Sequence, residues 1–298
     1  MGKSTVDWWA YGVLCALALV LSLTFVFVKL SLDGFSLIQI ASGRTIIAAG
    51  ILVPLAYVFG PGFPQDRGFW VWSAVLALTN FVLPFYLLAW GQAYLPTNLS
   101  GAIFGTMPLA ILALSGLILG VKITRRKTIG LVLGTLGLIV LTEPTKWLAE
   151  AGTANLFAIM SVLAALLLFA LSAILMRLMP KAHPFSALGA ASLIAAGIAF
   201  IPLMLNPSKP DPSILAWVGL LGSGVFSTAI AYTLRFYLIR RKGPVFLAPN
   251  AYIGVLLVNT FGITLMDEVI TQSMWLAFPL IIIGLIIAQD GSGKMEQV

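Results

Sequence analysis

Apolar residues in this chain come in long stretches separated by short, turn-rich breaks. Ten stretches stand out, at about 8–29, 36–58, 69–91, 98–119, 127–143, 154–176, 185–205, 213–236, 245–265 and 271–289. Each approaches the roughly 20 mostly apolar residues that a helix needs to cross a bilayer. The breaks read Gly60-Pro61-Gly62-Phe63-Pro64, Leu95-Pro96-Thr97-Asn98, Asn206-Pro207-Ser208-Lys209-Pro210 and Lys242-Gly243-Pro244, all strong turn signals. The pattern predicts an all-α polytopic membrane protein with ten transmembrane helices. The first run is too long for the apolar core of a signal peptide.

Composition narrows the class further. Of 298 residues, 60% are hydrophobic and 9% charged, against roughly 25% charged in a soluble domain. So few charges cannot cover a soluble surface. The net charge of +7 is explained by topology, without nucleic acid as a partner. With the N-terminus in the cytoplasm, the inner helix ends hold Lys3, Arg67, Lys122, Arg125, Arg126, Lys127, Arg177, Lys181, Arg235, Arg240, Arg241, Lys242 and Lys294. The outer ends hold only Lys29, Lys146 and Lys209. That bias predicts both termini inside. The lone cysteine, Cys15, can form no internal bridge.

The two halves resemble each other. Gly120-Val121-Lys122-Ile123-Thr124 opens the fifth run, and Asp267-Glu268-Val269-Ile270-Thr271 opens the tenth. At that offset Gly137 meets Gly284, and Phe35-Ser36 matches Phe185-Ser186 at a nearby one. Five spans per half is an odd number, so the second copy must cross the bilayer upside down. The expected organisation is a first five-helix repeat over 1–145, a second, inverted one over 152–290 and a cytoplasmic tail over 291–298. Two inverted five-helix repeats are a transporter architecture, with the solute near the midplane between them.

A family resemblance becomes specific at these residues. The stretch Leu99-Ser100-Gly101-Ala102-Ile103-Phe104-Gly105-Thr106-Met107-Pro108-Leu109, the loop Gly120 to Thr124 and the glycine-rich fifth run resemble the first half of the EamA branch of the drug/metabolite transporter superfamily. Arg240-Arg241-Lys242-Gly243, Pro249 and Asp267 to Thr271 resemble its second half. The resemblance implies ten helices in the cell inner membrane and export of small metabolites, often amino acids. Within the family the chain is most similar to the aromatic amino-acid and drug exporters. It departs from the family's Gly-Glu-Arg loop triplet at Val121 and Lys122, while Glu268 fits.

Polar groups in hydrocarbon are costly and normally face a cavity or another helix. Runs three, four, eight and nine are the richest in them. Asn80, Asn98, Ser227 and Asn250 can both donate and accept, which suits the carboxylate or ammonium of a zwitterion. Tyr86, Trp90, Tyr232 and Tyr252 offer flat apolar faces and attract cations. These residues are the expected substrate lining. Arg44 lies about 12 Å from the outer end of its run, too deep to reach water easily. Either it attracts an anionic group or latches a gate, or it binds backbone oxygens between packed helices. Pro84, Pro108 and Pro249 fall in the polar-rich runs, where each removes a backbone donor and exposes a carbonyl. Gly130, Gly134 and Gly137 form a small-residue face suited to packing against another helix.

All ten acidic residues are assigned to ends or loops, and the only histidine, His183, opens run seven. Without a buried proton relay, facilitative transport or coupling to the substrate's own gradient is expected. No metal-ligand spacing, catalytic triad or phosphate loop is present, so neither a cofactor nor an enzymatic activity is expected. The expected function is export of small amphipathic metabolites, amino acids (including aromatic ones) first, by alternating access. The expected partners are the solute and the lipid bilayer, with the chain a monomer or weak homodimer. A selective channel is the alternative, and behind it a membrane-embedded lipid-modifying enzyme.

Overall fold

The helices begin where the sequence supplies partners for their unpaired backbone donors. Asp7 Oδ1 accepts from Ala10 N at 3.2 Å. Ser36 and Gln39 close a reciprocal capping box, with Gln39 N donating to Ser36 Oγ at 3.2 Å and Ser36 N to Gln39 Oε1 at 2.8 Å. Asp66 and Ser213 cap in the same way, accepting from Phe69 N at 2.8 Å and Ala216 N at 3.1 Å. The computed structural model describes residues 7–94, 103–121, 123–142, 153–180, 182–205, 212–265 and 272–288.

In chain order the helices are α1 (Trp8–Ser31), α2 (Leu37–Val58), α3 (Arg67–Leu76) and α4 (Leu83–Tyr94), then α5 (Met107–Leu119), α6 (Arg125–Thr142) and α7 (Thr153–Leu178). They continue with α8 (Pro184–Leu205), α9 (Ile214–Gly224), α10 (Ala231–Lys242), α11 (Ala248–Leu265) and α12 (Gln272–Ala288). A π-helical turn, Ala77–Val82, joins α3 to α4 in one rod, and a second, Val225–Ile230, joins α9 to α10. A 3-10 turn, Pro244–Leu247, precedes α11. No strand occurs among the described residues.

Among the described residues, six segments are long and apolar enough to cross a membrane: Trp8–Val28, Leu37–Val58, Arg67–Gly91, Leu156–Leu178, Pro184–Leu205 and Ile214–Lys242. Met107–Leu119 and Trp275–Gly284 are apolar but shorter. Large apolar side chains such as Leu117, Phe157, Ile201, Ile214 and Trp275 are exposed along the helices. This is the reverse of a soluble surface and fits lipid as solvent. The molecule is an all-helical, multi-pass membrane protein. One boundary differs from the sequence reading. The eighth run continues as helix to Lys242, so Arg235 sits seven residues inside its rod, about 10 Å from the end.

Small residues set the closest helix pairs. α2 lies along α8, where Ala41, Ala48, Ala49 and Ala56 are buried, as are Gly189, Ala190, Ala191 and Ala195. α6 lies along α12, where Gly284 packs on the backbone of Gly130 and Gly134. Without a side chain there, the two backbones approach closely enough for dispersion to hold them. α7 packs on α4 and α5, while α1 packs on α9 and α11.

Candidate functional site

Both π-helical turns lie at the centre of the packed helices and carry its polar groups. In the first, Asn80 is fully buried. Pro84 has no N–H to offer the carbonyl four residues back, which is that of Asn80. The Tyr232 hydroxyl donates to this carbonyl at 3.3 Å. In the second turn, Ser227 and Thr228 are fully buried. The Thr228 hydroxyl donates to Ser223 O, five residues back, at 2.9 Å. π turns are rare and recur at functional sites.

Two arginines hold this centre, and both are 8% exposed. Arg44, from α2, donates through Nε to Thr228 Oγ1 at 3.0 Å and through Nη2 to Ser227 O at 3.4 Å. Its guanidinium sits 4.2 Å from the centre of the Phe85 ring. Arg235, from α10, donates through Nη1 to Asn80 Oδ1 at 3.0 Å and through Nη2 to Phe169 O at 2.6 Å. Its guanidinium lies 5.8 Å from the Phe169 ring centre and 6.0 Å from that of Tyr232. Between the arginines Phe81, Phe85, Tyr232 and Phe169 pack ring on ring at 5.0 to 6.5 Å. None of the ten acidic residues falls within a described helix. Neither buried arginine has a carboxylate partner among the described residues.

Of the residues expected to line a site, Arg44, Asn80, Ser227 and Tyr232 meet here. Ser227 Oγ points to Val20 O at 3.4 Å. Tyr86 stands beside the cluster, its hydroxyl 2.6 Å from Ser42 Oγ. Asn250 is half-buried on α11, its Oδ1 without a donor among the described residues. Tyr252 lies elsewhere, in a separate apolar cluster with Leu112, Leu131, Ala277 and Ile281, its hydroxyl donating to Leu131 O at 3.0 Å. Trp90 is 46% exposed and packs on Tyr94 at 5.3 Å. Asn98 lies outside the described residues, as do Lys122, Asp267 and Glu268.

The sequence reading missed Arg235, which it counted among inner helix ends. The signal was its spacing. Arg235 falls one turn after Tyr232 and five residues before the basic run Arg240-Arg241-Lys242 that already marks the end. It missed Phe169 and Ser172 because an apolar ring or a small hydroxyl in an apolar run carries no signal of its own, whereas Phe85 is marked as the counterpart of Tyr232 at the repeat offset.

A second polar group closes one end of the molecule. Lys242 Nζ lies 2.8 Å and Arg241 Nη2 3.4 Å from Asp7 Oδ2. The hydrogen bond from Lys242 holds the Asp7 carboxyl below its ordinary value of 3.8. Arg177 donates to Arg240 O at 2.6 Å and Arg240 to Met179 O at 2.5 Å. The start of α1 and the ends of α7 and α10 are thus tied together.

In a helical membrane protein, polar groups that converge from separate helices on one buried point mark a functional site, and solute transporters place theirs between their helix bundles. Comparison with known proteins gives the family. The EamA-like transporter family model matches twice, over residues 8–143 and 156–288, and the chain belongs to this family. An uncharacterized transporter of Synechocystis is 27% identical over 260 residues, covering 81% of this chain and 78% of its own. The uncharacterized inner membrane transporter YedA of Escherichia coli is 24% identical over 292 residues, covering 94% and 90%. A chloroplastic WAT1-related protein of Arabidopsis thaliana is 24% identical over 267 residues, covering 85% and 63%. One crystal structure superposes with a TM-score of 0.79 at 15% identity, over 94% of this chain and 97% of that one. That likeness shows the fold. The chain is a membrane transporter, and its family and relatives' names point away from an enzyme.

Proposed function

We propose that the protein is an alternating-access carrier that exports small amphipathic metabolites across the cell inner membrane, with both termini cytoplasmic. Amino acids are the first candidates, through the carboxylate they share. The observation that carries this reading is the crossing of bonds at the centre. Arg44 of the first half bonds Thr228 and Ser227 of the second, and Arg235 and Tyr232 of the second half bond Asn80 of the first. A solute able to take over these bonds would uncouple the halves on one side and let them rock.

The inverted-repeat reading has its own support. Several helix pairs are kept when each half is exchanged for the other. α2 with α8 and α6 with α12 map onto themselves, and the packing of α2 on α9 maps onto that of α8 on α3. The π turns fall in corresponding rods, and the family model matches once in each half. The basic end group at Arg177 and Arg240 to Lys242 supports an inner face there.

The test is counterflow in proteoliposomes loaded with an unlabelled amino-acid mixture. A carrier accelerates uptake of labelled amino acid against the loaded pool, and Tyr232→Ala abolishes the acceleration. Uptake that is unaffected by the internal pool, or acceleration untouched by Tyr232→Ala in a folded protein, overturns the reading.

A further inference from the structure

The charge balance of the central cluster says more about the solute than the family does. Arg44 and Arg235 place two guanidinium groups in a buried, aromatic setting, and no acidic residue stands in any described helix to balance them. An unpaired charge away from water is costly and persists where something else completes it. The hydrogen bonds leave the same gap. Arg44 uses Nε and Nη2, and its Nη1 donates to none of the described residues. Arg235 uses Nη1 and Nη2. Asn80 must turn Oδ1 toward Arg235 and Ser172, because its amide nitrogen facing a guanidinium would set donor against donor. That leaves Asn80 Nδ2, fully buried, with no acceptor among the described residues. Spare donors outnumber acceptors, and the missing partner is an acceptor carrying negative charge.

Resting on the carrier reading above, we propose that the site selects solutes with net negative charge: amphipathic organic anions, carboxylates above all, in preference to zwitterions. A carboxylate offers two oxygens, each able to take more than one of these donors. The rings of Phe85, Phe169 and Tyr232 suit an apolar body beside it. An ammonium group finds the reverse. No carboxylate receives it, the faces of Phe85, Phe169 and Tyr232 already attract guanidinium groups, and two like charges repel it. Neutral amino acids are therefore the poorer ligands, and acidic or deaminated ones the better.

The test uses the purified full-length protein in detergent and a series on one skeleton: phenylacetate, phenylalanine, phenylethanol and phenethylamine, with sodium chloride as the inorganic arm. The readout is the concentration that half-saturates the rise in melting temperature. Phenylacetate is expected to half-saturate about tenfold or more below phenylalanine, whose ammonium group meets two guanidinium charges and no carboxylate, while phenethylamine and chloride have no effect. Arg44→Gln and Arg235→Gln should each erase the preference. If either variant fails to fold, the wild-type rank order decides alone. Phenylalanine as effective as phenylacetate, chloride as effective as either, or no response to phenylacetate overturns the proposal. Labelled exchange in proteoliposomes separates the two readings. Exchange of phenylalanine without phenylacetate keeps the carrier and ends the anion preference. Phenylacetate binding without exchange of any solute does the opposite.

Discussion

The centre of the molecule and the contact between α6 and α12 solve the same problem in opposite ways. At the contact, glycine backbones touch, with Gly284 against Gly130 and Gly134. At the centre, two arginines, an asparagine, a tyrosine and three hydroxyls are buried together. Lipid tails are as apolar as leucine, so burying apolar surface does little to hold spanning helices together. One region relies on close fit, which has a single best arrangement. The other relies on bonds between donors and acceptors that a solute could exchange for its own. The carrier proposed above needs both, one part that stays put and one that can be re-partnered.

The comparison is broken most severely at Gly284. A β-carbon there would lie 2.5 Å from Gly134 N and 2.6 Å from Gly130 O, both backbone atoms that cannot move aside. Gly284→Leu is expected to cost about 3 kcal/mol or more, seen as loss of monodisperse protein or a much lower melting temperature. A normal melting curve would mean the contact is loose.

The arginines sharpen the other side of the comparison. Arg235→Met leaves Phe169 O without its 2.6 Å donor and Asn80 Oδ1 with Ser172 alone, so a loss of about 1–3 kcal/mol is expected. Arg44→Met removes a charge whose partner Thr228 keeps its own acceptor, Ser223 O. Its stability should change by less than about 1 kcal/mol in either direction, while exchange falls tenfold or more. Thermal melts and proteoliposome exchange on the same preparations check both. Equal destabilisation by the two variants would make Arg44 a packing residue.

The smallest effect is expected outside both regions, at Asp7. The depressed carboxyl value means that the tie to Lys242 adds stability above the unfolded value and loses it as pH falls through the lower, folded one. Asp7→Asn should lower the melting temperature slightly at pH 7. The gap to wild type should persist to pH 3.8 and close only below it. A gap that closes near pH 6 would implicate another group.

Much of this was legible in the sequence. The apolar runs located the helices, because length and hydropathy are all that a spanning helix requires. Arg44, Asn80, Ser227 and Tyr232 stood out because a polar group in an apolar run needs a reason. What the pattern lacked was rotation. These helices are apolar on every face, so no stripe says which side looks inward. Tyr252 and Tyr232 therefore look alike on paper, yet one packs against Gly134 and the other reaches Asn80. Arg235 escaped for a different reason. A basic residue near a helix end is ordinarily a topology marker, and the helix continues one and a half turns further than its apolar run. The basic first turn of α6, Arg125 to Lys127, also shows why a count of runs is not yet a count of spans.

The link from Pro84 through the Asn80 carbonyl to Tyr232 joins two positions 148 residues apart into one heritable unit. Where a descendant of this chain regains an amide hydrogen at 84, the hydroxyl at 232 loses its task and can drift to phenylalanine. Where the proline stays, that drift strands a carbonyl in the dry interior. Lineages should therefore keep or discard the pair together, although no stretch of sequence between them records the bargain.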